Sequence, residues 1–243
     1  MEQLALLADI HGNIWALDAV LADLDRRGVK DIFDLGDSLF GPLAPVATAN
    51  RLIERGIPSV MGNDDRVLLE PGNRPPNERF TRSQLRPEHF EWIASLPLVR
   101  EPAPDVLMFH GTPDSDLTYL LEEVRPEGVR LRDTAGIRQL LGSRSHSLFA
   151  CGHTHLARTV ALDAERLIVN PGSVGLPAYR ADEPWPHAME AGSPHARYAI
   201  VSRGAGGWVV EQIAVPYDYA AASRCAAPNG RPDWAARLLT GRV

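Results

Sequence analysis

Five short stretches of the chain set side chains that can hold a cation next to glycine: Asp9-Ile10-His11, Gly36-Asp37, Gly62-Asn63-Asp64-Asp65, His110-Gly111 and Gly152-His153-Thr154-His155. Each follows an apolar run of strand length. Carboxylate, imidazole and amide donors without thiolate suit Mn, Fe, Ni or Zn better than a soft metal. Asp9 and His11 are two residues apart, as are His153 and His155. In extended backbone alternate side chains share a face, so each pair is expected to grip one ion. Asp37 has two carboxylate oxygens and can bridge two ions. Taken singly, each stretch has a plainer explanation. Asp9 or Asn63 can cap a helix, Asp37 can sit in a turn, and His110 can donate to a carbonyl in the core. Together, at successive strand ends and all with ligand chemistry, they point to one metal site.

Ligands of an open α/β sheet bind in the crevice at the carboxyl ends of the strands, so the elements must bring these ends together. Leu4–Ala8 reads as a strand. Trp15–Arg27 repeats apolar residues at helical spacing and stops at Gly28. Asp31–Leu35 is expected to be a strand, Pro45–Arg55 a helix ending at Gly56, and Pro58–Met61 a third strand. This order implies parallel pairing through crossover helices. Pro71–Arg82 is polar and rich in Pro, Asn and Arg, and reads as a loop. A helix near Pro87–Ser95, a strand at Val106–Phe109 and a helix at Asp133–Leu141 follow. Closely spaced strands then take over: Leu148–Cys151, Arg158–Leu162, Leu167–Asn170, Tyr198–Ser202 and Trp208–Val215, with the short connections of antiparallel hairpins. Tyr179–Arg197 reads as a long loop, and Tyr217–Ala226 as the closing helix.

The 243 residues, 44% of them hydrophobic, fit a single domain over 1–243 with a sizeable core. No apolar run approaches the roughly 20 residues of a bilayer span, and no basic segment followed by an apolar stretch marks a secretory signal. A cytoplasmic protein without membrane contact is expected. The net charge of −6 argues against stable nucleic-acid binding, which wants a basic face. Cys151 and Cys225 are too few for a disulfide framework and lack zinc spacing. The single lysine, Lys30, removes Schiff-base and P-loop chemistry. Pro171-Gly172-Ser173-Val174-Gly175 is not a nucleophile elbow. His89, His146, His187 and His195 lack a surrounding motif and read as surface histidines.

The stretches together resemble the calcineurin-like metallophosphoesterases, whose pattern runs D-x-H, G-D, G-N-H-[DE], H and G-H-x-H. The likeness extends to Asp9-Ile10-His11-Gly12-Asn13, Gly41-Pro42, His110-Gly111-Thr112-Pro113, Asn170-Pro171-Gly172-Ser173-Val174-Gly175 and Val215-Pro216-Tyr217-Asp218. It is strongest to small prokaryotic phosphodiesterase and diadenosine-tetraphosphatase-like members. The resemblance implies an α/β fold, a four-layer α/β/β/α sandwich with two mixed sheets. It implies two divalent ions, with Mn preferred over Fe, Ni or Zn. Asp9, His11 and His155 would hold one ion; Asn63, His110 and His153 would hold the other; Asp37 would bridge them.

Two such ions, roughly 3.5–4 Å apart, would share a hydroxide that attacks phosphorus in line with the leaving oxygen. Asn63 would also donate to the phosphate. One position departs from the family pattern: Asp64 stands where the motif has histidine, with Asp65 next to it. An anionic Asp64 cannot protonate a leaving group unless its pairing with Asp65 raises one pKa. Its charge would disfavour a dianionic monoester more than a monoanionic diester, so a phosphodiesterase is expected. The plain alternative for Asp64 is a cap for a helix at Val67–Leu69. Competing readings are a dinucleoside polyphosphate phosphohydrolase, a phosphomonoesterase or protein phosphatase, and a metal-binding scaffold without catalysis. The expected partner is a small phosphate ester or nucleotide, and relatives of this kind often form homo-oligomers. Arg180, close to Asn170–Gly175, would meet a phosphate if its loop folds over the site.

Overall fold

The computed structural model describes residues 3–71 and 75–243. Strand β1 (Gln3–Leu7) alternates its side chains between two cores, the period of two that a strand imposes. Leu4, Leu6 and Ala8 face one side, whereas Ala5 and Leu7 face the other. Helix α1 (Ile14–Arg27) covers the second side with Ala16, Leu17, Val20, Leu21 and Leu24. Asn13 caps it by accepting from the Ala16 N–H at 3.2 Å, and Gly28 ends it at φ 72°. The chain returns through β2 (Ile32–Asp34), which pairs parallel with β1 as the βαβ order requires.

Helix α2 (Pro45–Glu54) forms as expected, but the third strand reduces to one parallel bridge between Asp34 and Ser59. Helix α3 (Asn63–Leu69) starts at once behind it. Most of the expected loop is helical: α4 spans Pro76–Gln84, while residues 72–74 lie outside the described residues. Pro76 sits in the first turn, where a missing N–H costs nothing. The buried face of α4 is Asn77, Glu78 and Thr81, so no apolar periodicity announces it. Thr81 bonds both the N–H and the carbonyl of Gly41 through its hydroxyl, each at 3.1 Å. Helix α5 (Pro87–Ala94) follows, capped by His89, whose Nδ1 accepts from the Arg86 N–H at 3.1 Å. His89 is buried, not a surface histidine.

The second sheet orders β3 (Val99–Ala103), β4 (Val106–Phe109), β7 (Leu148–Ala150), β9 (Leu167–Pro171) and β8 (Ala157–Ala161) as β3-β4-β7-β9-β8. Its three central strands run parallel, against the hairpin expectation; only the outer pairs are antiparallel. Pro102 confines β3 to the edge. Helix α6 (Thr134–Leu141) packs Ile137 and Leu141 on Leu107, Phe109, Phe149 and Ile168. The first sheet orders β13 (Gly207–Val215), β12 (Ala196–Gly204), β1 and β2 as β13-β12-β1-β2. Between the sheets lie Leu4, Leu6, Met108, Ala150, Val169 and Val201. Helices cover both outer faces, which gives the α/β/β/α layering.

Two ribbons stand apart from the sheets: β5 (Glu122–Arg125) with β6 (Gly128–Leu131), and β10 (Ala178–Ala181) with β11 (His187–Glu190). The second ribbon lies inside the stretch expected to be loop. Helix α7 (Tyr219–Ala226) does not close the chain; α8 (Pro232–Thr240) packs on it through Trp234, Ala235 and Leu238. Among the described residues no helix is long and apolar enough to cross a membrane.

Asp23 ties α1 to β12. Its carboxylate accepts from the Tyr198 hydroxyl at 2.5 Å, Arg27 Nε at 2.8 Å and an Arg26 nitrogen at 2.8 Å. Burial alone would raise the Asp23 carboxyl; the bonds from Tyr198, Arg27 and Arg26 hold it below its ordinary value. A carboxylate with a lowered folded pKa stabilises above its unfolded value, near 4, and loses that contribution as pH falls through the folded value. Asp23→Asn should cost about 1–2 kcal/mol at pH 7. Urea unfolding at pH 7 and pH 3 should show the gap to wild type shrink at the lower pH; a constant gap would refute the linkage.

Candidate metal centre

The polar strand ends converge where the two sheets meet. Asp9 and His11 follow β1, Asp37 follows β2, His110 follows β4, and His153 and His155 follow β7. Backbone bonds between loops lock the strand ends together: Asp9 N–H to Gly36 O at 2.9 Å, His11 N–H to Asp37 O at 2.9 Å, and Gly152 N–H to His110 O at 2.8 Å. Asn170 donates to Gly152 O at 2.8 Å, and Ser173 Oγ donates to Asp9 O at 2.7 Å. The Asn170–Gly175 stretch is therefore a brace behind the site. Gly175 has no room for a side chain, since a Cβ there would lie 1.7 Å from Ile10 O.

Asp9, His11, Asp37, His153 and His155 all adopt left-handed backbone, with φ of 54°, 51°, 56°, 70° and 59°. No other non-glycine does so among the described residues. Each such residue costs on the order of 1 kcal/mol, and such outliers gather at functional sites. The pairing by two-residue spacing holds for Asp9 and His11, although not through extended backbone, and fails for His153 and His155. His153 and His155 do not share an ion site. His155 groups with Asp9 and His11, whereas His153 groups with Asp37 and His110, each trio having its ligand atoms within 4.8 Å of one another.

The histidines are oriented from behind. His11 Nδ1 donates to Phe40 O at 2.9 Å, His155 Nδ1 to Leu176 O at 2.6 Å and His110 Nδ1 to Leu35 O at 2.8 Å; His153 donates through Nε2 to Leu117 O at 3.2 Å. Each ring therefore turns its other nitrogen inward with a free lone pair. His11 Nε2 faces His155 Nε2 at 3.2 Å, with Asp9 Oδ1 3.4 Å from the latter. His110 Nε2 faces His153 Nδ1 at 3.2 Å, Asp37 Oδ2 at 3.2 Å and Asn63 Oδ1 at 3.1 Å. Acceptors aimed at one point need a cation between them. Divalent ions fit this donor set.

Electrostatics agrees with the geometry. Burial, with the neighbouring imidazole adding, lowers His11 and His153 to about 4, so both present neutral nitrogens near pH 7. Burial would lower His110 too, but the Asp37 and Asp9 carboxylates raise it to about 10. A proton held there occupies the place a cation would take. Burial raises the Asp37 carboxyl, yet His110, His11 and His153 draw it well below the usual range.

Asn63, Asp64 and Asp65 separate into different tasks. Asn63 reaches His110 through Oδ1 and donates from Nδ2 to Asp64 Oδ1 at 3.1 Å. Asp64 is about a quarter exposed, at 24%, and its carboxylate lies 3.8 Å from His11 Nδ1. It does not cap the helix. Asp65 takes that part, accepting from Gly62 N–H at 3.1 Å, Asp37 N–H at 2.7 Å and Ser38 N–H at 3.0 Å. Completely buried and spent on three amides, Asp65 positions Asp37 and does not face the cavity, which corrects its expected catalytic role. Burial and Asp37 push its carboxyl up to about 7, against the pull of Gly62, His110 and Ser38. Burial, then Asp37 and Asp65, lift Asp64 well above the carboxylate range; cations at the ligands would act the other way. Gly62 lets these groups meet, because a Cβ there would lie 2.1 Å from Asp37 Oδ1.

The trios open into a cavity of about 310 Å³. His11, Asp37, Asn63, Asp64, His153 and His155 form its floor. Its walls hold residues that sequence reasoning did not single out: Asn77, Tyr119, Tyr179, Arg231, Trp234 and Arg237, beside the anticipated Arg180. Tyr179 packs its ring 4.6 Å from His155 and donates to Tyr119 Oη at 2.9 Å or His153 O at 3.1 Å. No local pattern marks these side chains: Asn77 comes from α4, Tyr119 from the segment before β5, Tyr179 and Arg180 from β10, and Arg231, Trp234 and Arg237 from α8 and the residue before it. His187 stands 3.2 Å from the Tyr119 hydroxyl, outside both trios.

The family model of the calcineurin-like phosphoesterase superfamily domain matches residues 2–187. An uncharacterised protein of Methanocaldococcus jannaschii is 27% identical over 99% of both chains. A metallophosphoesterase from Sphaerobacter thermophilus superposes with a TM-score of 0.76 at 24% identity, over 99% of each chain. A hypothetical protein from Pyrococcus horikoshii gives 0.74 at 19% identity, again over 99% of each. These likenesses at low identity establish the shared fold.

Proposed function

The chain belongs to the calcineurin-like phosphoesterase superfamily, and on that footing we propose that it hydrolyses phosphodiesters with two divalent ions bound in its paired trios. One observation carries the reading: inward-turned imidazole nitrogens meet at 3.2 Å in both trios, with no hydrogen of their own to share when neutral. Asp9, His11 and His155 would hold one ion and Asn63, His110 and His153 the other, with Asp37 available to both. When bound, the ions supply Lewis acidity, which acidifies coordinated water and neutralises charge on the phosphoryl oxygens. Mn²⁺ suits the oxygen and imidazole set.

The protein's own groups do the rest. The four backbone carbonyls hold the imidazoles in the tautomer that binds a cation. Asn63 is placed to offer its amide to a phosphoryl oxygen at the cavity floor. Tyr119 and Tyr179 wall the site and limit water access. Asp64 sets the preference among substrates: a partly exposed carboxylate beside the reacting group repels a dianionic monoester more than a monoanionic diester.

Hydrolysis of bis-p-nitrophenyl phosphate and p-nitrophenyl phosphate tests both parts. Metal-stripped protein should be inactive, and added Mn²⁺ should restore turnover that favours the diester. Asp64→Asn should shift the monoester-to-diester rate ratio upward by about tenfold, a difference of one removed charge in a shielded site. Monoester preference in the wild type, or a ratio unmoved by Asp64→Asn, would defeat the assignment. Bound metal without turnover on either ester would favour the non-catalytic scaffold.

A further inference from the structure

The cavity lined by Asp37 and Asp64 also has a cationic wall. Arg180 reaches it from β10, and Arg231 and Arg237 reach it from the start and middle of α8. One acidic side chain serves two of these arginines: Asp233 accepts from Arg231 at 2.7 and 2.6 Å and pairs with Arg237 at 3.1 Å. Arg180 is exposed and has no ion pair or side-chain hydrogen bond among the described residues. Burial weakens the Arg237 cation; Asp233 supports it, and the nearby Arg231 and Arg180 weaken it further. Three guanidinium groups around one carboxylate leave uncompensated positive charge facing a cavity.

The wall is close to the metal trios. Trp234 lies with its ring 5.8 Å from the His11 imidazole, and the Arg231 guanidinium sits 5.4 Å from the same indole. Two ring contacts therefore separate the ion site from the cations. Guanidinium groups are suited to phosphate oxygens, which they engage through paired N–H donors. Arg231 and Arg237 both lie beyond residue 187, where the family match ends: Arg231 immediately precedes α8 and Arg237 lies within it.

We propose that Arg180, Arg231 and Arg237 form a subsite for a second, non-reacting phosphate, so that the substrate carries a phosphate linked to the one attacked. This inference rests on the phosphodiesterase reading for the identity of the attacked group. It also agrees with the role given to Asp64, because a phosphoryl group with an ester link on one side and an anhydride link to another phosphate on the other carries one negative charge. Asp64 selects against charge on the reacting group, whereas the arginines select for charge one group away.

The probe is methylenediphosphonate, which holds two phosphoryl-like groups and resists hydrolysis, against methylphosphonate, which holds one. Calorimetric titration into the metal-loaded full chain should give at least about tenfold tighter binding of the diphosphonate. Arg180→Glu should abolish that advantage, and Arg180→Lys should keep most of it. Because Arg180 is exposed and unpaired, both variants should melt within a few degrees of wild type, which separates lost binding from lost folding. Equal affinity for the two probes in the wild type, or an advantage that survives Arg180→Glu, would overturn the subsite. Hydrolysis of bis-p-nitrophenyl phosphate by the same preparations keeps the two ideas apart. Turnover without a diphosphonate advantage removes the subsite alone; an Arg180-dependent advantage without turnover removes the esterase reading and leaves the anion wall.

Discussion

Asp37→Asn should lower kcat/KM on bis-p-nitrophenyl phosphate by about 10²- to 10³-fold and reduce the metal retained after dialysis. The asparagine keeps one oxygen in place. It can still accept the Asp64 N–H, a bond of 2.8 Å to Asp37 Oδ1 in the wild type. What disappears is the charge at Oδ2, 3.2 Å from His110 Nε2, in the position between the two trios. The metal-free variant should be less stable than metal-free wild type at pH 7, since His110, His11 and His153 hold the Asp37 carboxyl well below its usual range and that favourable charge is lost. Elemental analysis, turnover and thermal melting measured together check the claim. Full metal retention with a rate within tenfold of wild type would remove Asp37 from the centre.

Asp65→Ala should destabilise the protein by about 3 kcal/mol or more, because the N–H groups of Asp37, Ser38 and Gly62 lose their acceptor together. For a chain of this length that is roughly a 10 °C fall in melting temperature. The effect should be present with and without metal. Activity should fall as well, since two of those amides fix the turn that carries Asp37. A melting temperature within 2–3 °C of wild type, on the same scale of a few degrees per kcal/mol, would show that the loop holds its shape without Asp65.

These two substitutions mark how the neighbouring aspartates of the third stretch differ. From the sequence, Asp64 and Asp65 were adjacent carboxylates with one shared question about acid catalysis. In the fold, α3 turns Asp65 into the protein, where amides spend both its oxygens, and turns Asp64 towards the cavity. The helical step between neighbours, about 100°, separates them. The departure from the family motif thus falls on the side chain that faces the cavity.

Much of the frame was legible locally. The βαβ opening, α1 with its stop at Gly28, and the long strands β12 and β13 follow from apolar periodicity and glycine placement. Helix α4 was not legible, because a helix that buries Asn77, Glu78 and Thr81 carries no apolar stripe. The β10–β11 ribbon lay hidden among prolines and glycines. The hairpin expectation missed that β7 pairs in parallel with both β4 and β9, since parallel pairing leaves no turn signal between the strands that meet.

The sequence by itself determined the donor set and its place at strand ends, because ligand chemistry is a property of side-chain type and strand ends are marked by where apolar runs stop. The two-residue spacings did not sort the histidines into trios as the family resemblance did, and the tertiary structure supplies the physical reason. At positive φ the backbone of Asp9, His11, Asp37, His153 and His155 no longer alternates its side chains as a strand does. It also decided that Arg180, Arg231 and Arg237 share a wall, since residues that distant in the chain meet only through packing, and no local periodicity records it.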